Sequence, residues 1–546
     1  MKFRRLLLAP LAAALLGAAP ASQTPPGAAA ERVRADVEFL ASDLLEGRDT
    51  GSRGHQIAAA YVAAQFRSMG LKPGGTGGGW YVQVPLRESA HADEPSASLT
   101  VGRRSQRLRP GVDIGIRPSL TRASRRIDAP LVFAGHGISD RPLGIDDYSG
   151  LDVRGKVVVV LEGTPPGLPS EVAAHLDSAK AITAADKGAA GLIEIAGTGI
   201  GKRGDRVSAF GQPVIDWVDP SGKSASQGSR LGLFARLSRA AGERLFQGSG
   251  RRLAKEVAAG ARPGAIQGFD LPARLRIVDR MRWRDFNSPE VVGVLPGSDP
   301  KLRGEYVVLM GHLDHIGMKS GARPGEDSIY NGALDNAAGV ATMLEAARAF
   351  IASGRPPRRS VLFIANTAEE VGLRGADYFA ANPTVPRQAI VAAVDLDMPM
   401  LLYDFTDVIA FGGEHSTVAR DIASAAGAMR VAVSADPMPE EAIFVRSDHY
   451  RFVTRGIPAI LLMTGYANGG EKKWDEFFAR AYHKPGDDLR QPIRWDQGAR
   501  YAELNYRIAR ALADADSRPL WYAGDYFGDS FAPGQPKARR EECRRP

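Results

Sequence analysis

The chain has 546 residues, 44% of them hydrophobic and 24% charged, enough for more than one domain and for a large apolar core. Its formal charge of +8 sits mostly at the ends: Lys2, Arg4 and Arg5 carry +3, residues 537–546 carry another +3, and the body keeps only +2. A body so close to neutral argues against a nucleic-acid binder, whose charge would form a patch on the folded surface.

The basic start leads into an apolar run at 6–16 and an Ala19-Pro20-Ala21 cleavage pattern, so residues 1–21 read as a secretory signal peptide. The run is shorter than the ~18 residues a membrane span needs. The mature protein is therefore expected to be exported, periplasmic or extracellular, with no stable membrane insertion after cleavage. No cysteine near that site points to lipid attachment, and the lone Cys543 rules out an intrachain disulfide. Residues 22–30, rich in Ala, Pro and Gly, predict a disordered linker. Residues 31–70 read as helical, with Ile57, Tyr61, Val62, Phe66 and Met69 at helical spacing and Gly70 at the stop.

A glycine loop at 74–79 follows, then short strands and turns from 90 to 130. The Arg-rich stretch 103–126 reads as their solvated face. Next come apolar runs at 130–138 and 155–163, a helical segment at 179–190 and a strand at 191–197, a compact α/β module without an acid/His cluster of its own. A boundary falls near Pro272. Beyond it, continuous apolar runs at 290–297, 305–312, 360–367, 389–397, 407–413 and 457–465 predict central strands covered on both faces. Helices are predicted at 337–353, 374–381, 416–426 and 498–515. The fold class is α/β: a mixed, mostly parallel sheet sandwiched by helices, with an inserted, smaller β-rich α/β domain.

The chemistry lies in five clusters: GHLDHIG (311–317), NGALDNAAG (331–339), TAEEVG (367–372), VDLDMP (394–399) and YHKPGDD (482–488). In an open α/β sheet, ligands bind beyond the carboxyl ends of the strands. His312, Glu369 with Glu370, and Asp397 each fall at such an end, and Asp335 falls just before a helix start. Two imidazoles and several carboxylates from separate strand ends suffice for two divalent metals beside a free carboxylate base. Nitrogen and oxygen donors without sulfur suit zinc, and also manganese or cobalt. A serine hydrolase has no support, for no G-x-S-x-G is present.

These segments, in this order, resemble peptidase family M28. The likeness extends to VEFLASDLLEGRDTGSRG (37–54), similar to the N-terminal segment of bacterial secreted members, and to the region near 115–270, similar to the protease-associated (PA) domain inserted in many of them. Between the signal peptide at 1–21 with its linker at 22–30 and a basic tail at 526–546, the resemblance implies the first part of a peptidase domain at 31–114, a PA-like insertion at 115–270 and the catalytic domain at 271–525. It implies a zinc-exopeptidase fold holding two divalent metal ions, zinc by preference. Asp335 would bridge them, His312 and Asp397 would complete one site, and Glu370 and His483 the other. Glu369 would be the general base, with Asp397 favoured over Asp395 as the ligand. Asp314 would accept a hydrogen bond from His312 and fix its orientation, and Tyr482 would help stabilise the oxyanion. His315 would stand outside the ligand set. Ser447–His449 would either line the cleft or support it from behind. The remaining histidines, His55, His91, His136, His175 and His415, stand alone and read as structural or exposed.

The expected activity is release of N-terminal residues from peptide substrates. Alternatives are a carboxypeptidase or dipeptidase, for which Arg446 and Arg480 are candidate carboxylate clamps, a glutaminyl cyclase-like enzyme, and a non-catalytic receptor-like protein. The inserted domain is expected to roof the cleft.

Overall fold

Apolar runs and helical stripes set the layers of this molecule. Its structure is a computed structural model describing residues 27–199, 207–224 and 230–540. The expected signal peptide and Cys543 lie outside the described residues.

Four parallel strands form the centre: Ala459–Thr464, Ile390–Leu396, Tyr306–His312 and Ser360–Asn366, in that spatial order. Asp407–Phe411 adds antiparallel beside Ala459–Thr464, and Ala432–Ser434 pairs parallel with it at the edge. Every side chain from Val307 to Met310 and from Val361 to Ala365 is fully buried, as expected of strands covered on both faces. Helices Ala338–Ala352 and Trp495–Asp514 pack on this sheet and on each other, and Ala28–Leu40 packs on both. In Trp495–Asp514 the buried residues Tyr501, Leu504, Ile508 and Leu512 recur three or four apart, while Arg507 is exposed, so periodicity alone selects the face. Burial of each such large apolar side chain contributes roughly 1.5–3 kcal/mol.

The 27-residue strand Phe269–Leu295 joins the two domains. Its first half pairs with Ser96–Val101 and Ser124–Phe133. Its second half pairs with Tyr81–His91 and, antiparallel, with Ser360–Asn366 in the central sheet. The second apolar core, which includes Leu99, Leu108, Ile193 and Ile277, therefore begins before residue 115 and ends after residue 270. The boundary expected at 115–270 is too narrow at both ends, because alternating strands give no sign of which sheet they join.

Three other expectations change. Helix Ala28–Leu40 begins inside the stretch expected to be disordered, where Ala28, Ala29 and Ala30 favour helix and Val33, Val37 and Leu40 bury its inner face. The segment 31–70 is not one helix, since a short 3₁₀ segment at Asp43–Arg48 separates Ala28–Leu40 from Arg53–Ser68, which Ser52 caps by accepting from the His55 amide at 3.1 Å. The expected tail from 526 folds back: helix Tyr526–Phe531 buries Phe527, Lys537–Ala538 pairs with Trp521–Tyr522, and Arg540 lies 5.0 Å over the Tyr522 ring. In the 103–126 stretch Arg103, Arg104, Arg107, Arg109, Arg122 and Arg126 are exposed as expected, whereas Arg117 is half-buried and Arg125 is buried against Asp279.

Candidate active site

The carboxyl ends of the central strands meet in one cluster. His312 ends its strand, with Nε2 3.2 Å from both Asp335 Oδ1 and Asp397 Oδ1. The other Asp335 oxygen, Oδ2, lies 3.2 Å from His483 Nε2, which is 3.3 Å from Glu370 Oε2. The five residues expected to bind metal thus form a continuous series, Asp397–His312–Asp335–His483–Glu370, with one carboxylate oxygen of Asp335 facing each imidazole. Glu369 lines one cavity together with Asp335, Glu370, Asp397 and His483. The Tyr482 ring stacks on His483 with centroids 3.9 Å apart.

Left-handed backbone at residues other than glycine occurs at Ala368, Met398 and His483, each within one residue of a cluster side chain or part of it. Such conformations cost about 1–3 kcal/mol each and persist where surrounding structure enforces them, often at functional sites.

That enforcement comes from residues largely missed in the sequence. Asp487 is fully buried, and its two carboxylate oxygens accept from the Leu334 and Asp335 amides at 2.9 Å, which fixes the loop carrying Asp335. Asn336 donates to the Leu396 carbonyl and accepts from the Gly339 and Met398 amides, tying the Asp335 loop to the Asp397 loop. The buried Arg48 guanidinium donates to the carbonyls of Leu313, Asn331, Gly332 and Leu40, bracing two of these loops from beneath. Asp487 and Asn336 fall inside the clusters 482–488 and 331–339 and Arg48 inside the segment 37–54, but none of the three was given a role from the sequence. Arg48 and Asn336 carry no local signal, because their partners are main-chain carbonyls distant in sequence.

Asp314 departs from its expected role. His312 Nδ1 donates at 3.1 Å to the Asp314 carbonyl, not to its carboxylate. The carboxylate instead accepts from Thr50 Oγ1 at 2.9 Å and from the Glu369 amide at 3.2 Å. It therefore fixes the backbone of Glu369 while its main chain orients His312. Ser447 resolves its two alternatives by doing both: it lines the cavity and donates to Asp397 at 2.8 Å and Asp395 at 2.9 Å. His315 bonds Glu370 Oε1 through Nδ1 at 2.6 Å and so supports that carboxylate from beside the series. His55 and His136 serve main-chain carbonyls and His175 Nδ1 is hydrogen-bonded with the Tyr450 hydroxyl. His415 does not stand alone: Glu171 of the inserted domain and Asp525 bond its two nitrogens.

The electrostatics are those of a cation site. Four carboxylates, Asp335, Glu369, Glu370 and Asp397, surround two imidazoles. Burial, reinforced by Asp335, pushes Glu370 up to about 8. Burial, reinforced by Glu370 and Asp397, drives Glu369 well above its ordinary range. Burial opposes charge on His312, yet Asp397 and Glu369 hold its pKa well above the usual imidazole value. Asp335 Oδ2 is buried without an aligned hydrogen-bond partner among the described residues. Donor atoms of His312, Asp335 and Glu370 all lie within 4.8 Å of one another. An excess of buried negative charge with an unbonded oxygen is what a divalent cation would compensate.

The sequence of residues 290–509 matches the model of Peptidase family M28. This segment belongs to peptidase family M28. The M28 segment holds His312, Asp335, Glu369, Glu370, Asp397 and His483, and the whole chain is similar in fold to the aminopeptidase from Aneurinibacillus sp. strain AM-1, at 20% identity, TM-score 0.50, covering 91% of this chain and 97% of that one. Lower structural likeness is found to the zinc aminopeptidase BSAP from Bacillus subtilis (17% identity, TM-score 0.41, covering 88% and 93%) and to a peptidase M28 precursor from Shewanella amazonensis (16%, 0.40, 90% and 96%).

The M28 cluster forms one wall of a cavity of about 380 Å³. Leu373, Met398, Ile443, Met463 and Phe478 also line it and give it an apolar part. Arg446 also lines it and pairs with Glu441 at 2.8 Å, whereas Arg480 does not line it. No helix among the described residues is long and apolar enough to cross a membrane.

Proposed function

We propose that this protein is an exported di-metal exopeptidase that removes N-terminal residues from peptides. The observation that carries the reading is the Asp335 carboxylate, with one oxygen toward His312 and the other toward His483. That arrangement fits a bridging ligand, with Asp397 and His312 on one side and Glu370 and His483 on the other. The donor set suits zinc, the metal named for the Bacillus subtilis enzyme. When bound, two such ions supply Lewis acidity to the scissile carbonyl and lower the pKa of the attacking water.

The protein's residues provide the rest. Glu369, outside the ligand series, accepts a proton from the attacking water and delivers it to the leaving amine. The Asp314 carboxylate holds the Glu369 backbone, and Ser447 holds Asp397. Tyr482, stacked on His483, keeps its proton because burial pushes the phenol far up, so its hydroxyl is available to donate to a developing oxyanion. The acidic wall favours a free α-amine, and the apolar side favours a large aliphatic or aromatic first residue. Arg446 in the cavity supports a second reading, a carboxypeptidase or dipeptidase in which it leaves Glu441 for the substrate carboxylate.

Purified mature protein offered short peptides with free, acetylated or amidated ends separates these. Acetylation is expected to block release and amidation not, with about two metals per chain. Glu369→Gln is expected to retain metal and lose at least about a hundredfold in kcat. Blockage by amidation instead would transfer the reading to Arg446. Full metal occupancy without turnover would defeat both.

A further inference from the structure

A second cavity, of about 430 Å³, lies between the inserted domain and the M28 domain. Five arginines line it: Arg117, Arg125, Arg236, Arg374 and Arg451. Two of them are matched by carboxylates. Arg125 Nε donates to Asp279 at 2.9 Å, and Arg236 pairs with Glu194 at 2.8 Å. The other lining acids are also engaged, Asp377 by Arg455 at 3.0 Å and Asp177 by Lys180 at 2.7 Å.

Arg117, Arg374 and Arg451 remain. Arg374 Nη1 reaches only to 3.6 Å from Asp216 Oδ1, an oxygen that already accepts from the Trp217 amide at 2.8 Å. No carboxylate among the described residues comes within ion-pair reach of Arg117 or Arg451. The Nε atoms of Arg374 and Arg451 are buried without an acceptor among the described residues. Burial, with the like charge of Arg374 adding to it, pulls both Arg117 and Arg451 below the ordinary guanidinium range. Three desolvated cations around one engaged carboxylate are unfavourable unless an anion completes the group.

We propose that this cavity binds a small organic carboxylate, held by the guanidinium groups of Arg117, Arg374 and Arg451. Planar forks match a carboxylate in pairs of hydrogen bonds, and Leu120, Phe210, Leu231 and Phe234 offer apolar walls to the body that carries it. The site communicates with the catalytic one. Arg451 lines both cavities and donates to the Gly372 carbonyl at 3.3 Å. The Gly372 and Leu373 amides both donate to the Glu369 carbonyl at 2.8 Å, so an anion here draws on the turn that carries Glu369. The carboxylate has two possible sources, the far end of the peptide substrate or a separate small acid.

Calorimetric titration of the metal-loaded protein with succinate at constant ionic strength tests the site. One succinate per chain is expected, with affinity reduced at least about tenfold in Arg117→Gln and by an intermediate factor in Arg117→Lys, which keeps the charge and loses the fork. Arg117 belongs to the inserted domain and touches none of the catalytic cluster, so both variants are expected to retain metal. Kinetics with peptide pairs differing only in a free or amidated C-terminus identify the source. A rise in KM for the free acid alone in Arg117→Gln assigns the site to the substrate's own terminus, and an equal response of both peptides to added succinate assigns it to a separate acid. Absence of succinate binding, or binding equally tight in both folded variants, overturns the proposal. The titration needs no turnover, so it decides this site independently of the peptidase reading.

Discussion

Ser447 shows how much of this site depends on side chains outside the acid/His cluster. Its hydroxyl lies between Asp395 and Asp397, at 2.9 and 2.8 Å. Two adjacent carboxylates would repel, and a shared donor fixes which oxygen of Asp397 remains free for His312. Removing such a supporting bond typically weakens metal binding 10–100-fold. Ser447→Ala is therefore expected to lose metal at about that factor lower chelator concentration, with little change in the fold by circular dichroism. Equal metal retention in the variant would show that the loop backbone alone orients Asp397. The residues that meet in the cluster were legible in the sequence, because acids and histidines at the ends of apolar runs have few structural uses. Arg48 was not legible, since nothing in its neighbours distinguishes a buried guanidinium from a surface one.

At the scale of elements, the site depends on close approach between the helix after Asp335 and the strand before Asp397. A Cβ on Gly339 would lie 2.1 Å from the Leu396 carbonyl oxygen and 2.0 Å from Asn336 Oδ1. The first is backbone, and the second is held by the Gly339 and Met398 amides, so neither can yield cheaply. Gly339→Ala is expected to cost about 1–3 kcal/mol by denaturant unfolding and to reduce metal content, since relief requires separating the two loops. Unchanged stability would mean that these loops move freely. The strands of the central sheet were read to within a few residues, because continuous apolar runs have no alternative at that length. Helix Gly470–Arg480 was missed: with Trp474 and Phe477 as its buried large side chains, its apolar stripe is too thin to stand out from polar loop.

For the whole molecule, the inserted domain is attached by more than its shared strand. Helix Ser170–Asp186 leans on the turns Pro439–Glu441 and Ile443–Val445, and Ile443 lines the catalytic cavity. At this contact His415 bonds Asp525 at 2.7 Å and Glu171 at 3.0 Å, with Glu414 at 4.0 Å and Arg540 3.6 Å from Asp525. Burial disfavours its charge, yet these carboxylates raise the imidazole to about 10 from 6.5. A folded-state value above the unfolded one contributes stability that is complete below about 6.5 and lost as pH rises through about 10. The melting temperature is expected to fall over that window in the native protein and to fall less in His415→Gln, with the two converging at the alkaline end. Parallel curves would remove His415 from the contact's energetics.

The sequence by itself determined the class of fold, the order of the central strands along the chain and the identity of the residues that meet at their ends. Those follow from local physics: apolar periodicity, strand length, and the cost of placing charge beside apolar runs without a purpose. Only the tertiary structure decided which atoms do the work. Asp314 orients His312 through its carbonyl, Asp487 and Asn336 hold loops together, His415 finds carboxylates from two distant segments, and one strand belongs to two domains. Each of these is a pairing between residues far apart in sequence. Such pairings depend on the geometry of the assembled sheet, which no window along the chain contains.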